Sequence, residues 1–307
     1  MDKEVITLKS GKINEYLHHI DMKAYGTTRM LSVFLAEFDD CSILFDSGSS
    51  LDISKGLRYF KKNHIPLSSF KYLITSHHHF DHNGGMWRLY KEIKKFNPQV
   101  KILTNSITKT LLNDYEHHLN RGRSTYGDLV GEMKPIKDNA FKIIEPSTKF
   151  KKDADQLDVI EKFTFEGLEI KLAILKTPGH TPDHQTPPIY YNHEAYMKTL
   201  ENIKQLSPLK AGFGHFGVVN GKNNVRDTLV EHESFMKEYK SLITKYYNEK
   251  PETKYILEKI LPILLPRTNL SIKDVPIFKN IVLGIVYGMM ISLGFRSIPQ
   301  EEMKYLS

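Results

Sequence analysis

The sequence predicts an α/β fold: a four-layer αββα sandwich with a small C-terminal helical appendage. Short β-branched and aromatic runs alternate with amphipathic stretches through the first half, the pattern of strands and helices packed in layers. Strand-like runs return near 141–144, 161–166 and 169–175 and are followed by helices, so a second strand-rich half repeats the first. Beyond Pro251 the chain reads as helical, which sets a division into residues 1–250 and 251–307.

Residues 4–9, 31–38, 42–46, 70–75 and 100–104 carry the strand bias, and 51–63 and 86–96 the helical period. In the second of these helices Trp87, Leu89, Tyr90 and Ile93 fall on one face, the face expected in the core. Residues 105–135 read as a helical, loop-bearing insertion with Tyr115, His117, His118, Arg121, Arg123 and Tyr126 along it. Residues 223–247 form a long charged helix. In the appendage, 255–264 are helical and 271–274 offer a capping start. The apolar stretch 281–295, with Gly284 and Gly288, is shorter than the roughly 20 residues of a membrane span. Burial against the main domain or against a second copy of the chain, as in a homodimer, suits it better than a membrane.

Composition narrows the function classes. A chain of 307 residues with 40% hydrophobic and 26% charged residues can bury one large core plus an appendage, as a globular protein does. Cys41 is the single cysteine, which excludes an intrachain disulfide and leaves metal binding to nitrogen and oxygen. The start, Met1-Asp2-Lys3-Glu4, lacks the apolar core of a secretory signal, so a cytoplasmic location is expected. The net charge of +7 comes from lysines interleaved with glutamates on helix faces, as at 91–95 and 237–240, the pattern of solvated helices. The denser patch at 149–152 is short, and the balance argues against a nucleic-acid partner and for a small-molecule substrate.

The chemistry is concentrated in a few segments. Residues 75–82, Thr-Ser-His-His-His-Phe-Asp-His, crowd imidazoles and a carboxylate into a loop between a strand and the Asn83-Gly84-Gly85 turn. Lys176-Thr177-Pro178-Gly179-His180 closes another strand, and Ala211-Gly212-Phe213-Gly214-His215-Phe216-Gly217 sets one histidine among glycines that permit close approach. Asp46 ends the strand 42–46, where an aspartate could orient a histidine by accepting its spare N–H, or cap the following helix.

The order His-x-His-x-Asp-His, then Pro-Gly-His, then a late glycine-flanked histidine resembles the metallo-β-lactamase superfamily over about residues 1–250, and its glyoxalase II-like branch in particular. The resemblance implies that His77, His79 and His180 hold one metal ion and Asp81, His82 and His215 a second. It implies two divalent ions, zinc above all, with iron or manganese also suited to these donors. It further implies a metal-dependent hydrolase in which a metal-bound hydroxide attacks an ester, thioester or lactone, with Asp81 as the catalytic residue orienting the nucleophile. A phosphodiesterase or nuclease on the same dinuclear site, or a single-iron oxygenase, is the alternative. The insertion at 105–135 would roof the cleft, where Arg121, Arg123 or Tyr126 could meet an anionic substrate. One departure stands out: relatives carry a strand ending in Gly-Asp, whose aspartate bridges the metals, and none occurs between His180 and His215. Either a segment is missing between His184 and Pro188, which a stretched Cα–Cα distance would reveal, or the bridge is truly lacking. Loss of a central strand would leave backbone groups unpaired, which favours the first.

Overall fold

The computed structural model describes residues 5–145, 150–151, 156–179, 191–268 and 275–298. After a short first strand, β1 (Ile6–Thr7), seven strands build one sheet in chain order: β2 (Gly11–Lys12), β3 (Leu17–Asp21), β4 (Ser32–Glu37), β5 (Ser42–Phe45), β6 (Phe70–Ile74), β7 (Lys101–Thr104) and β8 (Phe141–Ile143). The pairs from β2 to β5 are antiparallel and those from β5 to β8 parallel. Parallel neighbours need long crossovers. Here α1 (Ile53–Lys62) links β5 to β6, α2 (Phe80–Asn83) and α3 (Met86–Lys94) link β6 to β7, and α4 (Ser106–Asn113) and α5 (Tyr115–Tyr126) lie between β7 and β8.

Alternation along each strand assigns the two faces. Leu44, Leu73 and Ile102 point one way, into a core with Phe60 of α1 and Met86, Leu89 and Ile93 of α3. Ile43, Tyr72 and Leu103 point the other way and meet Phe163, Ile160 and Leu172 of a hairpin, β9 (Asp158–Phe165) and β10 (Leu168–Ile174). Its turn, Glu166-Gly167, has both residues at positive φ (49° and 79°), the turn geometry that matches strand twist. A second small sheet joins β1 to β12 (Gly217–Asn220) and β12 to β11 (Lys210–Phe213). Gly212 of β11 lies so close to β4 that an added Cβ would sit 2.6 Å from the Phe34 ring. The layer facing the large sheet is therefore two separate pieces among the described residues, and the peptide links between His184 and Pro188, where a break was expected, lie outside them.

Strand β3 was not expected from the sequence, because His18 and His19 sit at its centre. Both are buried and supplied with partners: His18 Nδ1 pairs with the Tyr59 hydroxyl (2.9 Å) and Nε2 with the Glu37 carboxylate (2.6 Å). His19 meets the Lys9 carbonyl and the Ser32 hydroxyl. Polar side chains can occupy a core strand when each buried atom finds such a partner.

The chain divides into two compact units, Met1–Lys176 with Pro208–Val225, and Thr177–Ser207 with Arg226–Ser307. Residues 226–250 belong to the second of these units. That unit holds α6 (His193–Leu206), most of α7 (Lys222–Glu249), α8 (Thr253–Leu264) and α9 (Val275–Ser292). The apolar stretch in α9 finds its cover there: Val282, Val286 and Met290 pack with Tyr239 and Ile243 of α7 and Ile256 and Ile260 of α8. No described helix is long and apolar enough to cross a membrane. Leu73, fully buried between the helices and the large sheet, supports the strand that carries the histidine loop. Leu73→Ala is expected to destabilise the protein by about 2–5 kcal/mol in chemical denaturation, the usual range for a core leucine.

Candidate metal centre

Asp46 and residues 77–82 follow the ends of β5 and β6, and His215 lies where β11 turns into β12. Asp46, directly after β5, holds a left-handed backbone (φ 64°), a conformation that costs a non-glycine residue about 1–2 kcal/mol. Several hydrogen bonds hold it there. Its N–H donates to the Ile74 carbonyl (2.8 Å). Its carboxylate accepts from the Ser76 N–H (2.7 Å), the Ser76 hydroxyl (2.7 Å), the Asn83 amide (2.7 Å) and His82 Nδ1–H (3.0 Å). Burial alone would raise this carboxyl's pKa, but the His82 contact and the two Ser76 bonds hold it below the ordinary range. The second strand end is thereby tied to the first. The Ser47 and Gly48 N–H groups both donate to the His82 carbonyl (2.9 and 2.7 Å), and the Asn83 amide also reaches the His77 carbonyl (2.7 Å).

These bonds decide the tautomers. An ionised Asp46 only accepts, so His82 carries its proton on Nδ1 and presents a lone pair at Nε2. The Ser76 hydroxyl donates to Asp46 and can then only accept from His77 Nδ1, 2.8 Å away, which leaves the lone pair of His77 on its buried Nε2. His215 donates Nδ1–H to the Met30 carbonyl (2.6 Å), so its Nε2 is likewise an acceptor. The Nε2 atoms of His82 and His215 nevertheless face each other at 2.9 Å. Two lone pairs can approach so closely only across a shared proton or a cation. The Asp81 carboxylate completes the triangle, 3.9 Å from His82 Nε2 and 3.7 Å from His215 Nε2. Asp81, His82 and His215 form the group of metal-competent donors among the described residues. A divalent ion fits this donor set.

Glycine permits the approach. Any Cβ on Gly214 would lie 2.7 Å from the His82 ring, and the Gly214 carbonyl accepts from the Ser32 N–H (2.7 Å), fixing the turn beneath His215. His77 and His79 join the same cluster: the His77 ring is centred 4.3 Å from His82 and 4.5 Å from His79. His180 lies outside the described residues. The turn leading to it, in the helical unit, is anchored on α6: the Asn192 N–H donates to the Gly179 carbonyl (3.0 Å) and the Thr199 hydroxyl to the Pro178 carbonyl (2.8 Å). Gly179, at φ 128°, rests so closely on Tyr196 that a Cβ would be 2.4 Å from its nitrogen.

The insertion contributes His118, to which the sequence assigned no role. His118 of α5 stacks on His79 (centroids 5.6 Å apart, 4° between planes) and accepts the Phe80 N–H at Nε2 (3.2 Å). Nothing in its spacing connects it to the ligand motif; only the packing of α5 on the loop does. Arg123, also on α5, donates to the Gly131 carbonyl (3.3 Å).

Residues 26–187, just over half of the chain, match the model of the Metallo-beta-lactamase superfamily. The chain therefore belongs to that superfamily, whose members are largely metal-dependent hydrolases, and its fold is the superfamily's αββα sandwich. An archaeal superfamily protein from Sulfolobus tokodaii superposes with a TM-score of 0.55 at 18% identity, over 90% of this chain and 98% of that one. A metallo-beta-lactamase variant of Cronobacter sakazakii gives a TM-score of 0.48 at 15% identity, over 76% of this chain and 98% of that one. No curated protein sequence matches the chain significantly.

Asp46→Asn removes the ionised acceptor that orients His82 and is expected to weaken divalent-metal affinity about 10–100-fold, read by chelator competition. His118→Ala is expected to lose hydrogen-exchange protection at the Phe80 amide in metal-free protein, and His118→Gln, whose carbonyl can take the same N–H, to regain part of it.

Proposed function

We propose that the chain is a hydrolase of an ester, thioester or lactone that works with two divalent metal ions, zinc foremost, in the manner of glyoxalase II-like members of its superfamily. The convergence of His82 Nε2, His215 Nε2 and Asp81 on one point, with both imidazole tautomers fixed from behind, is the observation that carries this reading. Asp81, His82 and His215 would hold one ion, and His77, His79 and His180 the other. When bound, the metals supply a water made acidic enough to ionise near neutrality and a Lewis acid for the substrate oxygen.

The chain's own groups do the rest. Asp46, Ser76 and the Met30 carbonyl hold the imidazole protons on the nitrogens facing away from the centre, which keeps the inner nitrogens basic. Asp81 is mostly buried, its side chain 16% exposed, and its carboxylate can accept a hydrogen bond from the attacking water and hold it for the substrate carbonyl. The loop of residues 22–31 touches the centre through the Met30 carbonyl on His215, and helix α5 through His118 on the Phe80 N–H.

Metal quantification on purified protein, with a panel of thioester, lactone, carboxylic ester and bis-aryl phosphate substrates, tests the assignment. Wild-type protein is expected to bind close to two metal equivalents and to turn over the acyl substrates. His79→Ala should abolish both loading and turnover, and His215→Ala should remove one ion and reduce turnover at least a hundredfold. Full activity in His79→Ala would remove the mechanism, and turnover confined to the phosphate would displace the acyl substrate.

A further inference from the structure

The loop that orients His215 through the Met30 carbonyl also carries Tyr25, held at a left-handed φ of 56° that is costly for a side chain of this size. The Tyr25 ring stacks on Tyr126 of α5, with centroids 6.0 Å apart and planes within 10°, and Tyr126 in turn packs against Phe80, the neighbour of Asp81. Two phenols from distant parts of the sequence are thus laid side by side at the edge of the centre. Both are half-buried, and among the described residues neither hydroxyl has a hydrogen-bond partner. Burial, and after it the negative charge of Asp81, raises both phenols above their ordinary range, Tyr126 to about 12. Each therefore keeps its proton at neutral pH and stands as a donor.

We propose that Tyr25 and Tyr126 form a substrate subsite whose two neutral hydroxyls donate to the carbonyl or carboxylate oxygen of an acyl group. A phosphodiester would call for cationic donors, whereas a neutral, pre-stacked pair suits an uncharged carbonyl and the carboxylate it becomes. The proposal rests on the acyl-hydrolase reading above and extends it to named substrate contacts. The strained backbone at Tyr25 is explained in the same way, since it turns the ring onto Tyr126 rather than out to solvent.

The test uses Tyr25→Phe, Tyr126→Phe and the double variant, which keep the stack and remove only the hydroxyls. Two readouts are taken: kcat/KM for p-nitrophenyl butyrate with zinc-loaded protein, and butyrate binding by saturation-transfer NMR with and without zinc. Each single variant is expected to lose about tenfold in kcat/KM, the worth of one hydrogen bond of this kind, with melting temperature and zinc content unchanged. Butyrate binding should weaken in parallel. Wild-type kcat/KM and wild-type butyrate affinity in the double variant would overturn the proposal, as would a wild-type protein that does not bind butyrate. If the wild type hydrolyses only bis(p-nitrophenyl) phosphate, the acyl-hydrolase reading fails by itself, and the butyrate measurement alone decides the subsite.

Discussion

The carboxylate of Asp46 ties two strand ends, one loop and one imidazole into a single unit, and the candidate centre depends on it. It accepts from Ser76 twice, from Asn83 and from His82, and it does so at the crossover between adjacent parallel strands. A buried carboxylate on an apolar sheet edge would be unfavourable, but one that accepts this many hydrogen bonds stays ionised. Its charge then sets the proton on the far nitrogen of His82, and through Ser76 on that of His77. The inner nitrogens of both rings are left as donors of electron pairs. A strained backbone at Asp46 is retained because the surrounding bonds over-determine it.

The scaffold converts this local network into a placed one. Strands β5 and β6 are neighbours in the large sheet, so their ends are adjacent whatever the intervening helix does. The turn bearing His215 belongs to the facing small sheet, and two contacts fix it: the Ser32 N–H on the Gly214 carbonyl and the Met30 carbonyl on His215. Both come from the segment entering β4. Imidazoles on opposite layers are therefore brought together by hydrogen bonds near one strand of the large sheet, and the glycine at 214 leaves the room that their approach needs.

The insertion after β7 is in contact with the ligand loop. Its helix α5 reaches the ligand loop through His118, on the His79 ring and the Phe80 amide, and through Tyr126 on the Phe80 ring. A movement of this helix would be felt at the peptide between His79 and Phe80, so the geometry of the loop and the position of α5 are mechanically coupled. The helical unit has a separate core of aromatic and aliphatic residues, and within it α6 steadies the Pro178-Gly179 turn that precedes His180.

Much of this protein is determined by local sequence. The β-branched runs give β4 to β7, the amphipathic period gives α1 and α3, and the histidine and aspartate spacing around residues 77–82 marks the metal-competent loop, because strand, helix and ligand patterns each repeat over a few residues. The donor atoms of Asp81, His82 and His215 lie within 4.8 Å of one another. What the sequence leaves undetermined are the contacts that depend on distant segments. Strand β3 hides behind two histidines whose polarity is cancelled only by Glu37, Tyr59 and Ser32. The Met30 carbonyl, His118 and the Tyr25–Tyr126 stack carry no local pattern, since a backbone oxygen or a lone ring gains a role only from what packs against it. The grouping of residues 226–250 with the last helices is likewise decided by which apolar face finds a partner, a property of the folded chain rather than of any segment in it.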